Sequence, residues 1–357
     1  MFTGRVIRKR PGGSLRRSIV DGEYDLLHHG DREVGDGLVD LAVNVRLPEP
    51  PEWLRRELAA CLADLAAYPD AGRAIEAIAA RHGRDPADVL PTAGAAEAFT
   101  LLATAFGARN AAVVHPQFTE PEAALRAAGH RVRRVQLSAA DGFVLKPDAV
   151  PADAGLVFVG NPTNPTSVLH PAATLRQLCA PGRLLVVDEA FLDAVPGEPE
   201  SFASQRLPGV VVVRSLTKTW GIAGLRAGYV LAEPEVIARL RAVQPPWSVS
   251  TPAVVAMVAC SSPRAVEESS RLAGAGERDL AALVSGLREL GVEVAGAPRA
   301  PFVLVRVPDG ARVRLALREA GYAVRRGDTF PGLDGDWFRI AVRQDMSGFL
   351  AALRDLL

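Results

Sequence analysis

Short apolar runs at residues 111–115, 156–159, 184–187 and 210–213 constrain this fold more than any other feature. Each is nearly continuous in Val, Leu, Ala and Phe, so each predicts a strand buried on both faces. Segments of helical spacing, such as 120–128 and 172–178, separate them. Buried strands alternating with helices predict an α/β fold, with a parallel sheet covered on both sides. Ligands of such sheets sit at the carboxyl ends of the strands. Polar residues follow the runs there: His115-Pro116-Gln117-Phe118, Asn161-Pro162-Thr163-Asn164, Asp188-Glu189 and Ser215-Leu216-Thr217-Lys218.

The 357 residues suit one large unit or two lobes, at roughly 100–200 residues per domain. Pro245-Pro246-Trp247 breaks the chain. A long helical stretch over 252–290 follows, and then an α+β pattern. That pattern has strands at 302–307, 322–325 and 337–342, a helix at 313–320 and a closing helix from Ser347. The expected organisation is an arm over 1–45 packing on a small domain, a large domain over 46–250 and the small domain over 251–357. The basic start, from Arg5 to Arg17, lacks the apolar core of a secretory signal and reads as a mobile arm. Lys plus Arg equals Asp plus Glu at 41 each, so no global field favours nucleic acid or an anionic membrane. No apolar run reaches the roughly 20 residues of a membrane span. Cys61, Cys179 and Cys260 are far apart and odd in number, which suits a reducing cytoplasm. Six histidines without paired spacing argue against a zinc mechanism, and no metal site is expected.

Ser215-x-x-Lys218 ends the last apolar run, with Arg226 a short way on. A lysine at the bottom of a pocket can form a Schiff base with an aldehyde, and Ser215, Thr217 and Arg226 can hold a phosphate beside it. Those are the needs of pyridoxal phosphate. A surface lysine after a buried strand is the plain alternative. Gly94, Ala95 and Ala96 open a helix and expose the backbone N–H groups that bind phosphate, as an ordinary helix entry also would. Phe118 can stack on a flat heterocycle or fill a core. Asn164, in a duplicated Asn-Pro turn, can donate to a phenolic oxygen. Asp188, at a buried strand end, calls for a cation or a protonated ring nitrogen. A magnesium ligand in its place lacks the GxxxxGK[ST] loop that would accompany it. Arg339 alternates among apolar residues on a strand and can fork onto a carboxylate. A solvated strand face fits Arg343 better.

In this order the motifs resemble the fold-type-I pyridoxal-phosphate aminotransferase superfamily, over nearly the whole chain after about residue 22. They are most similar to its branch of histidinol-phosphate aminotransferases and threonine-phosphate decarboxylases. His28-His29-Gly30-Asp31 resembles an HGG[ND] segment, and residues 40–45 resemble D-[FL]-[SA]-x-N-[IV]. Tyr68-Pro69-Asp70, Asp188-Glu189-Ala190-Phe191 and Pro246-Trp247-Ser248-Val249 are similar too; all these segments point to the decarboxylase, the last two with most weight.

The resemblance implies a large domain with a mostly parallel seven-stranded sheet covered by helices, and a smaller α+β C-terminal domain. It also implies roles. Lys218 would carry the cofactor and move protons. Asp188 would pair with the ring nitrogen and Asn164 with the ring oxygen, while Phe118 would stack on the ring. Ser215, Thr217, Arg226 and the amides from Gly94 to Ala96 would hold the phosphate. Tyr68 would reach that phosphate from the other subunit of a homodimer with a shared active site. Arg339 would bind the substrate carboxylate, and Arg325, His28 and Asn44 would lie near a phosphorylated amino acid. Ser167, His29, Arg46 and Pro331 depart from the pattern, all around the substrate.

The expected reaction is decarboxylation of L-threonine O-3-phosphate to (R)-1-amino-2-propanol O-2-phosphate, in cobalamin biosynthesis. Transfer of an amino group from histidinol phosphate or another amino acid is the alternative. A non-catalytic regulator of the same fold is a third, which the full set of site residues opposes.

Overall fold

The computed structural model describes residues 24–107 and 110–357. Of the arm expected over 1–45, residues 1–23, and with them the basic start, lie outside the described part. Strand β1 (Val39–Leu41) is followed by helices α1 (Glu52–Ala60) and α2 (Gly72–His82), β2 (Val89–Ala93) and α3 (Gly94–Ala105). Then come β3 (Asn110–His115), α4 (Glu120–Ala127), β4 (Arg131–Gln136), β5 (Leu156–Gly160) and α5 (Ala172–Arg176). Strands β6 (Leu184–Asp188), β7 (Val210–Ser215) and β8 (Ala227–Leu231) precede α6 (Pro234–Val243), α7 (Thr251–Cys260) and α8 (Pro263–Glu289). The chain closes with β9 (Glu293–Val294), β10 (Phe302–Arg306), α9 (Gly310–Glu319), β11 (Tyr322–Arg326), β12 (Trp337–Ala341) and α10 (Ser347–Arg354).

Strands β2 to β8 form a 7-stranded sheet in the order β2-β8-β7-β6-β5-β3-β4. All run parallel except β8, which is antiparallel to both β7 and β2. The apolar runs explain the layering. Leu185, Val187, Val210 and Val212 enter one core with Leu54, Ile78 and Met257 from α1, α2 and α7. Leu184, Val186, Val211 and Val213 enter the opposite core with Phe99, Leu125 and Ile237 from α3, α4 and α6. Successive residues of a strand point to opposite faces, so a continuous apolar run is what two cores require. Each buried Val or Leu contributes about 1.5–3 kcal/mol to this arrangement.

The smaller sheet has the order β1-β11-β12-β10-β9. Its core joins Leu41 of β1 to Leu283 and Leu287 of α8, Phe338 and Ile340 of β12, and Phe349 of α10. The arm thus donates a strand, parallel to β11, to a sheet otherwise made more than 240 residues later in the chain. The helical stretch expected as one piece over 252–290 is two helices. Ser262 caps α8 by accepting from the Ala265 N–H, and Pro263 opens it, so α7 ends at Cys260. Strands β2, β4 and β8 had no counterpart among the apolar runs.

Candidate active site

A cavity of about 480 Å³ opens at the carboxyl edge of the large sheet, between the sheet, the arm and the smaller sheet. Lys218, Asp188, Asn164, Phe118, Ser215, Thr217, Arg226, Ala95, Ala96, Arg325, Arg339 and Asn44 all line it. The topology makes this possible. Strands β3, β5, β6 and β7 deliver His115, Gly160, Asp188 and Ser215 to one edge. Antiparallel β8 begins at that same edge, directly after Arg226.

The phosphate-binding candidates converge where α3 starts. Gly94 has φ +77°, and a Cβ on it would stand 2.4 Å from Arg226 Nη2. Only glycine leaves room for the guanidinium against this helix start. Arg226 is itself left-handed, at φ 57°, and its Nη1 donates to Ala223 O at 3.0 Å. Ser215 Oγ and Thr217 Oγ1 lie 2.8 Å apart. A helix N-terminus, two hydroxyls and a guanidinium form a cradle for a dianion.

Asp188 ends β6, and its Oδ1 accepts from the Ala190 N–H at 3.1 Å. Burial raises its carboxyl to about 6, with Glu189 adding to the rise. Burial lowers the Lys218 amine to about 8, with Arg226 and Arg339 adding to the fall. Arg46 N–H holds the Lys218 carbonyl at 2.9 Å. Asn164 is set by a tied turn, in which the Asn161 side chain donates to His170 O at 3.0 Å and accepts from His170 N at 2.7 Å. Phe118 follows Gln117, whose Oε1 accepts from the Gly160 N–H at 2.9 Å.

On the opposite side, Arg339 Nη1 donates to Asn164 Oδ1 and Nη2 to Ala42 O, while its buried Nε has no partner among the described residues. Asn44, 5% exposed, has neither amide atom hydrogen-bonded among the described residues. Buried polar atoms left unmatched are rare in a folded chain, so this wall has spare capacity for a polar ligand. Arg325 is held by His28 O at 2.7 Å, Thr329 Oγ1 at 2.6 Å and the Glu33 carboxylate.

The structure also separates residues expected together. His28 turns away from the cavity and bonds Glu33 Oε1 at 2.8 Å, and His29 takes the lining position instead. Tyr68 is 76% exposed, stacks on Trp247 at 4.3 Å and does not line this chain's cavity. Ser167, at φ 64°, accepts from Ala300 N at 2.8 Å and so ties the Asn-Pro turn to the entry of β10. Arg46 points to α8, donating to Leu272 O. Pro331 O accepts from Gln136 at 3.2 Å. Thr119, Glu120 and Phe330 line the cavity and were not singled out in the sequence, and Asp31 lines it too. Thr119-Glu120 reads there as a plain helix entry.

These residues fit pyridoxal phosphate. The cradle that a Cβ at position 94 would fill suits a phosphate. An acid and an amine with shifted ionisation stand at neighbouring strand ends, and Phe118 supplies an aromatic wall.

The family model described as aminotransferase class I and II matches residues 36–353. A histidinol-phosphate aminotransferase of Mycobacterium tuberculosis is 51% identical over 331 residues, covering 92% of this chain and 90% of that protein. A threonine-phosphate decarboxylase of Salmonella typhimurium is 31% identical, covering 90% of this chain and 92% of that protein. The crystal structure of histidinol-phosphate aminotransferase from Clostridium acetobutylicum superposes with a TM-score of 0.80 at 22% identity, covering 88% and 97%. The expectation of threonine-phosphate decarboxylation is thereby overturned. The relative at 51% carries the aminotransferase name, and the decarboxylase stands at 31%. Phe191 and the Pro-Trp-Ser-Val segment leaned toward the decarboxylase, and the higher overall identity outweighs them.

Proposed function

The chain belongs to the aminotransferase class I and II family, and we propose that it moves an amino group between histidinol phosphate and a 2-oxo acid. It is a pyridoxal-phosphate-dependent enzyme. The observation that carries the substrate is the 51% identity, along 92% of the chain, with a protein named for that reaction.

When bound, the cofactor supplies an electron-poor ring that stabilises negative charge at the substrate's α-carbon. Asp188 would pair with the ring nitrogen, Asn164 with the ring oxygen, and Phe118 would cover one face. Ser215, Thr217, Arg226 and the amides of Ala95 and Ala96 would hold its phosphate. Lys218 would take the α-proton and return it. An amine lowered to about 8 is poised near neutrality for both directions. Histidinol phosphate has no carboxylate, so Arg339 and Asn44 would take its phosphate and, in the other half-reaction, the oxo acid's carboxylate. The guanidinium fork matches both groups, and Arg325 would add charge behind it.

A homodimer completes this reading. Tyr68 and Trp247 form an exposed aromatic stack, 76% and 60% exposed, which suits contact with a second copy. The cytoplasm suits its three free cysteines. Among the described residues no helix is long and apolar enough to cross a membrane. The test is to mix purified holoenzyme with histidinol phosphate and 2-oxoglutarate and to measure glutamate. Glutamate formation is expected. Its absence, in a preparation that transfers from other amino donors, overturns the substrate.

A further inference from the structure

One wall of the cavity carries chemistry that neither cofactor holding nor anion binding uses. His29 Nε2 faces Glu120 Oε1 there at hydrogen-bonding distance, and both residues line the cavity. The His29 ring lies 5.4 Å from the Phe118 ring at an interplanar angle of 39°. The arm is pinned at this point, because Thr119 Oγ1 donates to Leu26 O at 2.6 Å and Leu26 is fully buried. The chain therefore seats an imidazole of its own against a carboxylate that opens α4. The Glu120 side chain is 28% exposed, so it is reached from the cavity. Besides Asp31 and Asp188, the other charged side chains of the lining, Lys218, Arg226, Arg325 and Arg339, are cationic. On the Phe118 side, Glu120 offers a carboxylate acceptor to an N–H donor of a substrate.

We propose that the Glu120 carboxylate is a specificity-determining group that accepts the imidazole N–H of the substrate, in the place the His29 ring fills in this structure. This deepens the aminotransferase reading and rests on it. The exchange needs no new geometry, since an imidazole already occupies the position. It also separates the two half-reactions. Histidinol phosphate carries the ring, while the partner amino acid, glutamate, does not.

The test measures each half-reaction at the cofactor's absorbance, in wild type, Glu120→Ala, Glu120→Gln and His29→Ala. Cofactor absorbance per chain shows that each variant is folded and loaded. The ratio of kcat/KM for histidinol phosphate to that for glutamate is expected to fall about tenfold or more in Glu120→Ala, the effect of losing a hydrogen bond to a charged acceptor. Glu120→Gln, which keeps an acceptor oxygen, should fall less. His29→Ala should hold or raise the ratio, because the carboxylate is freed. A wild-type ratio in Glu120→Ala overturns the proposal, as does an equal loss on both substrates or a His29→Ala loss as large as that of Glu120→Ala. If wild type converts glutamate and not histidinol phosphate, the proposed function itself falls, and this inference with it.

Discussion

Lys218 is held out of water beside two guanidiniums, which makes its charged form costly in the cofactor-free chain. Its folded-state value, about 8, lies below the 10.5 of a free amine, so the native state binds fewer protons between those values. The destabilisation is complete below pH 8 and disappears as pH rises toward 10.5. Lys218→Met should therefore stabilise the cofactor-free protein at pH 7 by about 3 kcal/mol, the equivalent of that displacement. The difference should shrink between pH 8 and 10 in urea titrations of the two proteins, and a gap independent of pH contradicts this. With cofactor present, Lys218→Ala should abolish the absorbance band of the covalent lysine–cofactor bond and lower turnover by about 100-fold or more. Asp188, Asn164, Ser215 and Lys218 were legible because each follows a buried run, where a polar residue has few structural reasons to stand. The position of His28 was not. Two adjacent histidines on an irregular arm offer no periodicity to say which faces inward, and the hydrogen bond to Glu33 decides it.

At the scale of elements, the start of α3 bears the sharpest constraint. Gly94→Ala sets a Cβ against Arg226 and forces a left-handed backbone on a residue that resists it. A loss of about 1–2 kcal/mol in stability is expected. Cofactor affinity should fall at least tenfold as the guanidinium is displaced, which a fluorescence titration with pyridoxal phosphate would measure. Unchanged affinity would show that Arg226 does not use this space. The strands of the sheet centre were readable as apolar runs. Edge strand β4, Arg-Val-Arg-Arg-Val-Gln, was not, since most of its residues face solvent or ion pairs and mimic a helix surface. Strand β2 is interrupted by Pro91, and β8 contains Gly228, where a Cβ would meet backbone at 2.9 Å. Close packing demands the glycine, the sheet edge tolerates the proline, and both remove the usual strand signal.

Across the whole molecule, the cavity exists only because the arm, the large sheet and the smaller sheet meet. Ser167 is one of the ties, its Oγ accepting from Arg299 and Ala300. Ser167→Ala leaves the buried Ala300 N–H without that acceptor. It should cost about 1–3 kcal/mol in urea unfolding while sparing the cofactor spectrum. No loss would mean that water replaces the hydroxyl. The contact joins residues more than 130 positions apart, so no local pattern foretold it. The reversed direction of β8 has a last consequence. Lys218 and Arg226 hang on one excursion that leaves the sheet from β7 and re-enters through β8 at the same rim. An insertion or deletion within 216–226 shifts Lys218 and Arg226, the proposed cofactor lysine and phosphate ligand, together. Related chains that vary in length should therefore tolerate change in the 190–209 connection and keep this excursion at constant length.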